Sequence, residues 1–377
     1  MRYAIASFAV MLTSGAAIAQ DFELPGQMSW TAYDTGSAGY NQAVAIGAAL
    51  QDAAGVNLRV LPGKNDISRT EPLRQGRVEF SATGVGGSFM AQEGAFEFGA
   101  ENWGPQPIRV LLANNGGAIN LAVGVAGDEG IETFADLAGK RVAYIVGAPA
   151  LNVNTEAYLA YGGLTWDDVE RVEFGGFGAS WTGLIEDEVD AAFAATNSGN
   201  AYEAAAGPRG LFWPPIDAED TEAVERMQAV APFLVPNTAT VGATIDGTDG
   251  YAGAGYAYPV LIATDATDAD LAYNMTKAMV ELFPQYDGKA PGIAGWALDK
   301  QDMQWVAPYH EGAIRYFEEA GVWSEEAQKH NDDLIVRQEV LKAAWEALQE
   351  EGPEDWDAAW AERRREALGQ AGLDVVF

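Results

Sequence analysis

Thr35-Gly36-Ser37-Ala38-Gly39-Tyr40 places two hydroxyls and several small residues just before a helical stretch. Backbone N–H groups at a helix start lack internal partners and favour an anion. Asn152 and Asn154, with Pro149 ahead of them, open a second helical stretch of the same kind, although N-capping explains an Asn there equally well. Thr83-Gly84 and Thr196-Asn197-Ser198 each follow an apolar strand. The carboxyl ends of strands are where open α/β sheets hold ligands, and a plain turn would use the same residues. Asn65 follows the strand Val56 to Leu61. Phe177, Gly178 and Trp181 follow the strand Arg171 to Phe174, where an aromatic wall would suit a pocket and a core Trp is the competing reading. Tyr40, Tyr256 and Tyr258 are further candidates that packing also explains. Lys64 and Arg69 are basic but read as surface residues, so no clamping cation is assigned. The chemistry these residues support is non-covalent capture of a small anion.

Composition narrows the alternatives. The 377 residues contain no Cys and only two His, His310 and His330. Thiolate nucleophiles, disulfides and Cys-ligated zinc are excluded, and a Ser-His-Asp triad has few ways to form. Gly84-x-Gly86 and Gly176-x-Gly178 lack the dinucleotide fingerprint. Catalytic residues, metals and cofactors are therefore expected to be none. Glu186-Asp187-Glu188 reads as a solvated helix end. With 55 acidic residues, a secreted carboxylate-pair hydrolase remains a remote alternative. Against 22 Lys and Arg they leave a net charge of −33, which argues against a nucleic-acid partner.

The positioning elements follow from the hydrophobic pattern. Short apolar strands alternate with helical segments, which predicts an α/β fold. Strands are expected at Gln27–Tyr33, Val56–Leu61 and Val78–Thr83, with a helix from about Tyr40. A Ser68-x-x-Glu71 capping box and a stop at Gly76 bound a second helix. The grammar repeats from Ile119, with a short helix over Ile131–Gly139, a strand Arg141–Val146 and a helix from about Asn152. Gly250 to Gly255 reads as flexible, and Tyr256–Thr264 as a strand that crosses back. From Ser324 the chain is charged and helical, with Arg363, Arg364 and Arg365 near a helix end. The expected division is a signal peptide over 1–19, one lobe from 20–118 plus 256–323, a second from 119–255, and a helical extension over 324–377. The leader follows from Arg2, an apolar run, and Ala17-Ile18-Ala19 as the cleavage signal. Cleavage after Ala19 would leave an exported, periplasmic chain with no direct membrane insertion.

An ordered set of motifs then resembles the TAXI class of solute-binding proteins of tripartite (TRAP) transporters. Ile131-Glu132-Thr133-Phe134-Ala135-Asp136-Leu137-Ala138-Gly139-Lys140-Arg141-Val142 resembles the start of the second lobe in many periplasmic binding proteins. Thr35 to Tyr40 resembles the class's first ligand loop, Leu73 to Phe80 its "L-R-x-G-x-x-D/E" helix end and Gly163 to Val169 its "G-L-T-x-D-D-V". Tyr309 to Phe317 resembles "H-x-G-A-x-x-Y-F/Y". Two stretches depart from the pattern: Gly147-Ala148-Pro149-Ala150-Leu151-Asn152 is not rich in Gly and Ser, and the tail from Ser324 is longer than usual. The resemblance implies a two-lobed periplasmic-binding-protein-like fold with hinge and interlobe cleft, plus the C-terminal helical extension. It implies a small carboxylate ligand (an amino acid, a dicarboxylic or a 2-oxo acid) delivered to TRAP membrane permease subunits. A binding protein of an ABC importer or of a sensor kinase is the alternative.

Overall fold

The computed structural model describes residues 22–377; the expected signal peptide, Met1 to Ala19, and its cleavage point lie outside them. The chain begins with β1 (Gln27–Ala32), α1 (Ala38–Ala54), β2 (Asn57–Pro62), α2 (Asp66–Arg74), β3 (Phe80–Thr83), the short α3 (Ala91–Glu93) and β4 (Ile108–Ala113). It continues through β5 (Leu121–Ala126), β6 (Arg141–Ile145), α4 (Pro149–Tyr161), β7 (Glu170–Phe174), α5 (Phe177–Ile185), β8 (Ala191–Ala195), α6 (Gly199–Ala206), β9 (Leu211–Phe212), α7 (Thr221–Val230), β10 (Val235–Ala239) and β11 (Tyr251–Gly255). It ends with β12 (Val260–Thr264), α8 (Ala269–Glu281), α9 (Phe283–Tyr286), α10 (Glu311–Glu319), α11 (Glu325–Glu351) and α12 (Trp356–Gln370).

Two five-stranded sheets have the same plan. One runs β2-β1-β3-β12-β4 and the other β7-β6-β8-β5-β9. In the first, β1 is parallel to β2 and β3, and β12 is antiparallel to β3 and β4. In the second, β6 is parallel to β7 and β8, and β5 is antiparallel to β8 and β9. The antiparallel strand of each sheet enters from the other lobe, along 114–120 into β5 and along 256–259 into β12. This is a two-lobed α/β, periplasmic-binding-protein-like fold. Its lobes are joined by two crossings, and the parallel strands of each sheet end toward the other lobe.

Local sequence explains the elements. Ser37 caps α1 by accepting from the Tyr40 N–H at 3.2 Å, and Gly55 at φ +67° ends it. Ile46 and Leu50 on the inner face of α1 join Trp30 and Phe80 in the first lobe's part of the main core. Phe134, Tyr158, Trp181 and Phe193 build the second lobe's part of the same continuous core. α11 and α12 carry a smaller cluster around Leu341, Trp345, Trp356 and Trp360. No described helix is long and apolar enough to cross a membrane.

Several expectations are corrected here. The capping box of α2 is Asn65 with Ser68, not Ser68 with Glu71: the Ser68 N–H donates to Asn65 Oδ1 at 2.8 Å and the Asn65 N–H to Ser68 Oγ at 3.2 Å. Asn is as good a cap as Ser, so the start moves three residues earlier. Residues 131–139 hold only a 3-10 turn over Phe134–Leu137, closed by Thr133 and Asp136. α4 starts at Pro149, whose fixed φ suits a first helical position. Phe177, Gly178 and Trp181 lie on α5, not on a loop. Tyr251 to Gly255 is not loose but pairs with β10 as a two-stranded ribbon. The crossing strand begins at Val260, after an extended segment from Tyr256.

Candidate ligand-binding site

Between the lobes, which are in contact, lies a small gap of about 20 Å³, room for about one water as the lobes stand. Its walls are the starts of five helices. Ser37 and Ala38 come from α1, Asp66 from α2, Ala150 and Leu151 from α4, Phe177 from α5 and Ser198 from the cap of α6. Tyr33, Phe193, Tyr256 and Tyr258 supply aromatic surface. Helix N-termini carry partial positive charge, so five of them facing one space favour a negative group there. Ser37 and Ser198 each use an oxygen lone pair to cap their helix, at 3.2 and 3.1 Å, which leaves both hydroxyl protons free to donate to a guest.

The lobes touch around this gap. The Gly199 N–H donates to Gly36 O at 2.8 Å and the Gly178 N–H to Asp34 Oδ2 at 3.1 Å. The Phe177 N–H donates to Lys64 O at 3.1 Å and the Ile67 N–H to Gly147 O at 3.2 Å. Asn65 Nδ2 donates to Val146 O at 3.0 Å, and the Ala150 N–H donates to Asp66 Oδ2 at 2.9 Å. Each such bond contributes about 0.5–1.5 kcal/mol net, so the set is enough to hold two lobes yet weak enough to break.

A charged group stands directly behind the wall. Arg69, 1% exposed, pairs with Asp66, donates from Nε to Thr83 Oγ1 at 3.1 Å and lies 3.7 Å from the centroid of the Tyr33 ring. Burial opposes the Arg69 charge, but Tyr33 and Asp66 outweigh it and raise the group's pKa. Burial likewise pushes the phenols of Tyr33, Tyr256 and Tyr258 upward, so all three stay protonated. Tyr33 fits only because two neighbours lack side chains: a Cβ on Gly39 would lie 2.6 Å from its ring and one on Gly84 2.5 Å from its hydroxyl. In a separate cavity bordered by Tyr144, Trp360 and Arg364, burial raises the Glu97 carboxyl. The Asp66 charge adds to the rise, and the Gly147 amide draws it back.

Of the residues singled out from sequence, Ser37, Phe177, Ser198, Tyr256 and Tyr258 line the gap. Thr35 is exposed, and Gly36 meets Gly199 through its carbonyl. Tyr40 is half-buried on α1 and does not line the gap. Asn65 and Gly178 bridge the lobes, and Thr83 holds Arg69. Pro149 sits at the start of α4. Asn154 Nδ2 donates to Tyr256 Oη at 2.9 Å and Asn197 Nδ2 to Pro291 O at 2.7 Å. Thr196 Oγ1 donates to Val241 O at 2.9 Å. Three placements are corrections. Asn152 folds back to accept from the Ile145 N–H and donate to the Ile145 carbonyl, both at 2.9 Å, so it locks the turn before α4. Trp181 is fully buried, with Nε1 bonded to Phe193 O at 3.1 Å, and is core. Arg69 is likewise not a surface residue. Sequence reasoning missed Tyr33 and Asp66. The available signal for Tyr33 was its position at the end of β1 beside the glycine-rich turn.

Glu129, Asp187 and Asp190 lie together at the opposite end of the second sheet. Arg141 pairs with Asp187 at 2.6 Å and Asp190 at 2.5 Å, and Arg209 with Glu129 at 2.9 Å. This is a balanced ion-pair network, and its neighbours raise Arg141.

Residues 32–321 match the profile of the NMT1-like family. The chain belongs to the NMT1-like family. Solved structures similar to this NMT1-like chain include the alkanesulfonate-binding protein SsuA from Xanthomonas axonopodis pv. citri bound to MOPS. It is 14% identical over 81% of this chain and 83% of that one, with a TM-score of 0.44. An ABC transporter periplasmic binding protein from Brucella ovis with glutathione bound is 11% identical over 69% and 70%, with a TM-score of 0.45. An ancestral arginine-binding protein bound to arginine is 13% identical over 71% and 97%, with a TM-score of 0.43. No curated protein matches the chain.

Proposed function

We propose that this chain is an extracytoplasmic solute-binding component of a membrane transporter and makes or breaks no covalent bond. It captures a small carboxylate when the lobes part from their mutual contact, and presents the form closed on that guest to permease subunits. The supporting observation is the convergence of five helix starts, two from the first lobe and three from the second, on one space. A guest that bonds to both walls favours closure by its differential contacts alone. Residues 20–118 with 256–323 and residues 119–255 move as the two halves, about the crossings at 114–120 and 256–259. Asp66 does not repel such a guest strongly, because Arg69 and the Ala150 amide already compensate it. A micromolar affinity corresponds to about −8 kcal/mol, within reach of several charge-assisted bonds and enclosed aromatic surface.

Two transporters fit this role. The ordered motifs shared with the TAXI class support TRAP permease subunits. An ABC importer is the second, and it is the kind of transporter named for the Brucella ovis protein. The test of capture is a thermal-shift panel of amino acids, dicarboxylic and 2-oxo acids, sulfonates and cationic amines. At least one anion is expected to raise the melting temperature by mass action, and Ser37→Ala and Ser198→Ala to reduce that rise. A panel in which only cationic amines act would overturn the ligand class, and one in which nothing acts would count against capture.

A further inference from the structure

The stretch after Ser324 has a place in this architecture that capture alone does not require. α11 and α12 pack against the first lobe, where Trp356 Nε1 donates to Gly99 O at 2.9 Å and Trp360 Nε1 to Gly94 O at 2.6 Å. Facing them from the end of α3, Glu93 is fully buried. It receives Arg337 through Nε at 2.6 Å and Nη2 at 2.7 Å, and it also pairs with Arg364. The same two guanidinium groups hold the chain beyond α12. Arg337 donates to Asp374 O at 2.8 Å, and Arg364 to Val376 O at 2.5 Å and Phe377 O at 3.1 Å. Asp374–Phe377 is therefore fastened to a buried charge cluster of the first lobe.

The fastened stretch delivers one aromatic ring. Phe377 lies 5.3 Å from Phe89 and 5.2 Å from Phe96, both on the first lobe's side. Phe96 holds a backbone φ of +54°, which non-glycine residues seldom adopt. Phe377 also lies 6.4 Å from Phe233, which leads into β10 beside the second lobe, and Phe233 meets Phe89 edge-on at 6.4 Å. Phe233 in turn stands at right angles to Tyr256 at 5.3 Å. Tyr256 lines the gap and accepts from Asn154 Nδ2. An aromatic contact thus runs from the extension, across the junction of the lobes, to the wall of the gap.

We propose that the extension is an interlobe clasp: Arg337 and Arg364 on Glu93 anchor Asp374–Phe377, and the Phe377 ring joins Phe89 to Phe233, restraining the lobes from parting and fixing Tyr256. The clasp needs lobes that move but not any particular solute, so its test needs no ligand. The absence of native Cys permits spin labels at Asp52→Cys on α1 and Asp167→Cys before β7, both exposed positions. Double electron–electron resonance then reads the lobe separation in the otherwise intact chain. Phe377→Ala and Phe233→Ala are expected to raise the ratio of long to short distances about 2- to 10-fold, as loss of an aromatic pair would. Phe377→Tyr is expected to restore the parent distribution, and Val375→Ala to leave it unchanged. Identical distributions for Phe377→Ala, Phe233→Ala and the parent would overturn the clasp. So would a lower melting temperature without a change in distances, because it would make the tail merely structural. Solute capture fails or survives separately, in the thermal-shift panel.

Discussion

The two lobes share one strand order but contribute different surfaces to the gap. The second lobe presents the starts of α4, α5 and α6, with small residues such as Ala150, Ala194 and Ala195 at the surface. The first presents side chains, with Tyr33 and Asp66 at the wall and Arg69 immediately behind. It also carries the extension. One topology thus yields helix starts and small residues, whose first amides already bond across the junction, facing a set of polar and aromatic side chains. The strand plan positions the site; the residues at a few helix starts decide what it holds.

The largest test of this asymmetry lies where the first lobe departs most from the second. Glu93→Ala leaves Arg337 and Arg364 without their buried partner, and is expected to cost about 3–5 kcal/mol by denaturant titration, whereas charge changes in the exposed parts of the second lobe's ion-pair network cost far less. Next is Arg69→Leu, which strands Asp66 at the gap. It is expected to lower stability by about 2–4 kcal/mol and to remove the thermal response to any anion found. A response that survives would show that the first lobe's side chains are dispensable for capture.

The hydroxyl caps come third. Ser37→Ala and Ser198→Ala are expected to cost about 1 kcal/mol each, and each also to weaken ligand binding because the lost proton faces the gap. Ser324→Ala, a cap remote from the gap on α11, should cost as much stability without touching binding. If all three behave alike in binding, the gap is not where the solute sits.

Two titrations distinguish the lobe junction from the periphery. His310 Nδ1 accepts from the Gly312 N–H at 3.1 Å at the start of α10, and burial lowers its pKa from the usual value near 6.5. The unfolded chain therefore takes that proton first, and stability falls as pH drops through about 6.5. An asparagine side chain would cap the helix without titrating, so His310→Asn should flatten this part of the pH–stability curve. Glu97 has the opposite sense. Its raised carboxyl makes the folded chain the better proton binder, so the group costs stability as pH rises above the usual carboxylate range. Glu97→Gln is expected to raise the melting temperature slightly at neutral pH and not in acid. Thr35→Ala, at an exposed position, should change little in either measurement, within about 0.5 kcal/mol.

The sequence made the frame legible because alternation of apolar runs and capped helices is local. Ser37 and Ser198 could be found for the same reason: both follow a strand and open a helix. Thr35, two residues from Ser37, could not be told apart from it, because only the turn at Gly36 decides which hydroxyl faces inward. Asp66 was illegible for a different reason. Its role depends on the amide of Ala150, 84 positions away and on the other lobe. Arg69 read as surface because a lone basic residue near a loop usually is; its burial requires Tyr33, Asp66 and Thr83 to arrive together. Trp181 and Asn152 misled in the other direction, as residue types common in pockets that the fold uses for core packing and for a turn. The extension offered only helical periodicity, and nothing local in Glu93 marks it as the partner of two arginines beyond residue 330.

The most direct measurement is a crystal structure of this chain grown with the strongest anion from the thermal-shift panel. The account predicts that the anion lies between the lobes, within hydrogen-bond distance of Ser37 and Ser198 and beside Tyr256. An anion bound elsewhere, with the space between α1 and α6 filled only by solvent, would contradict it.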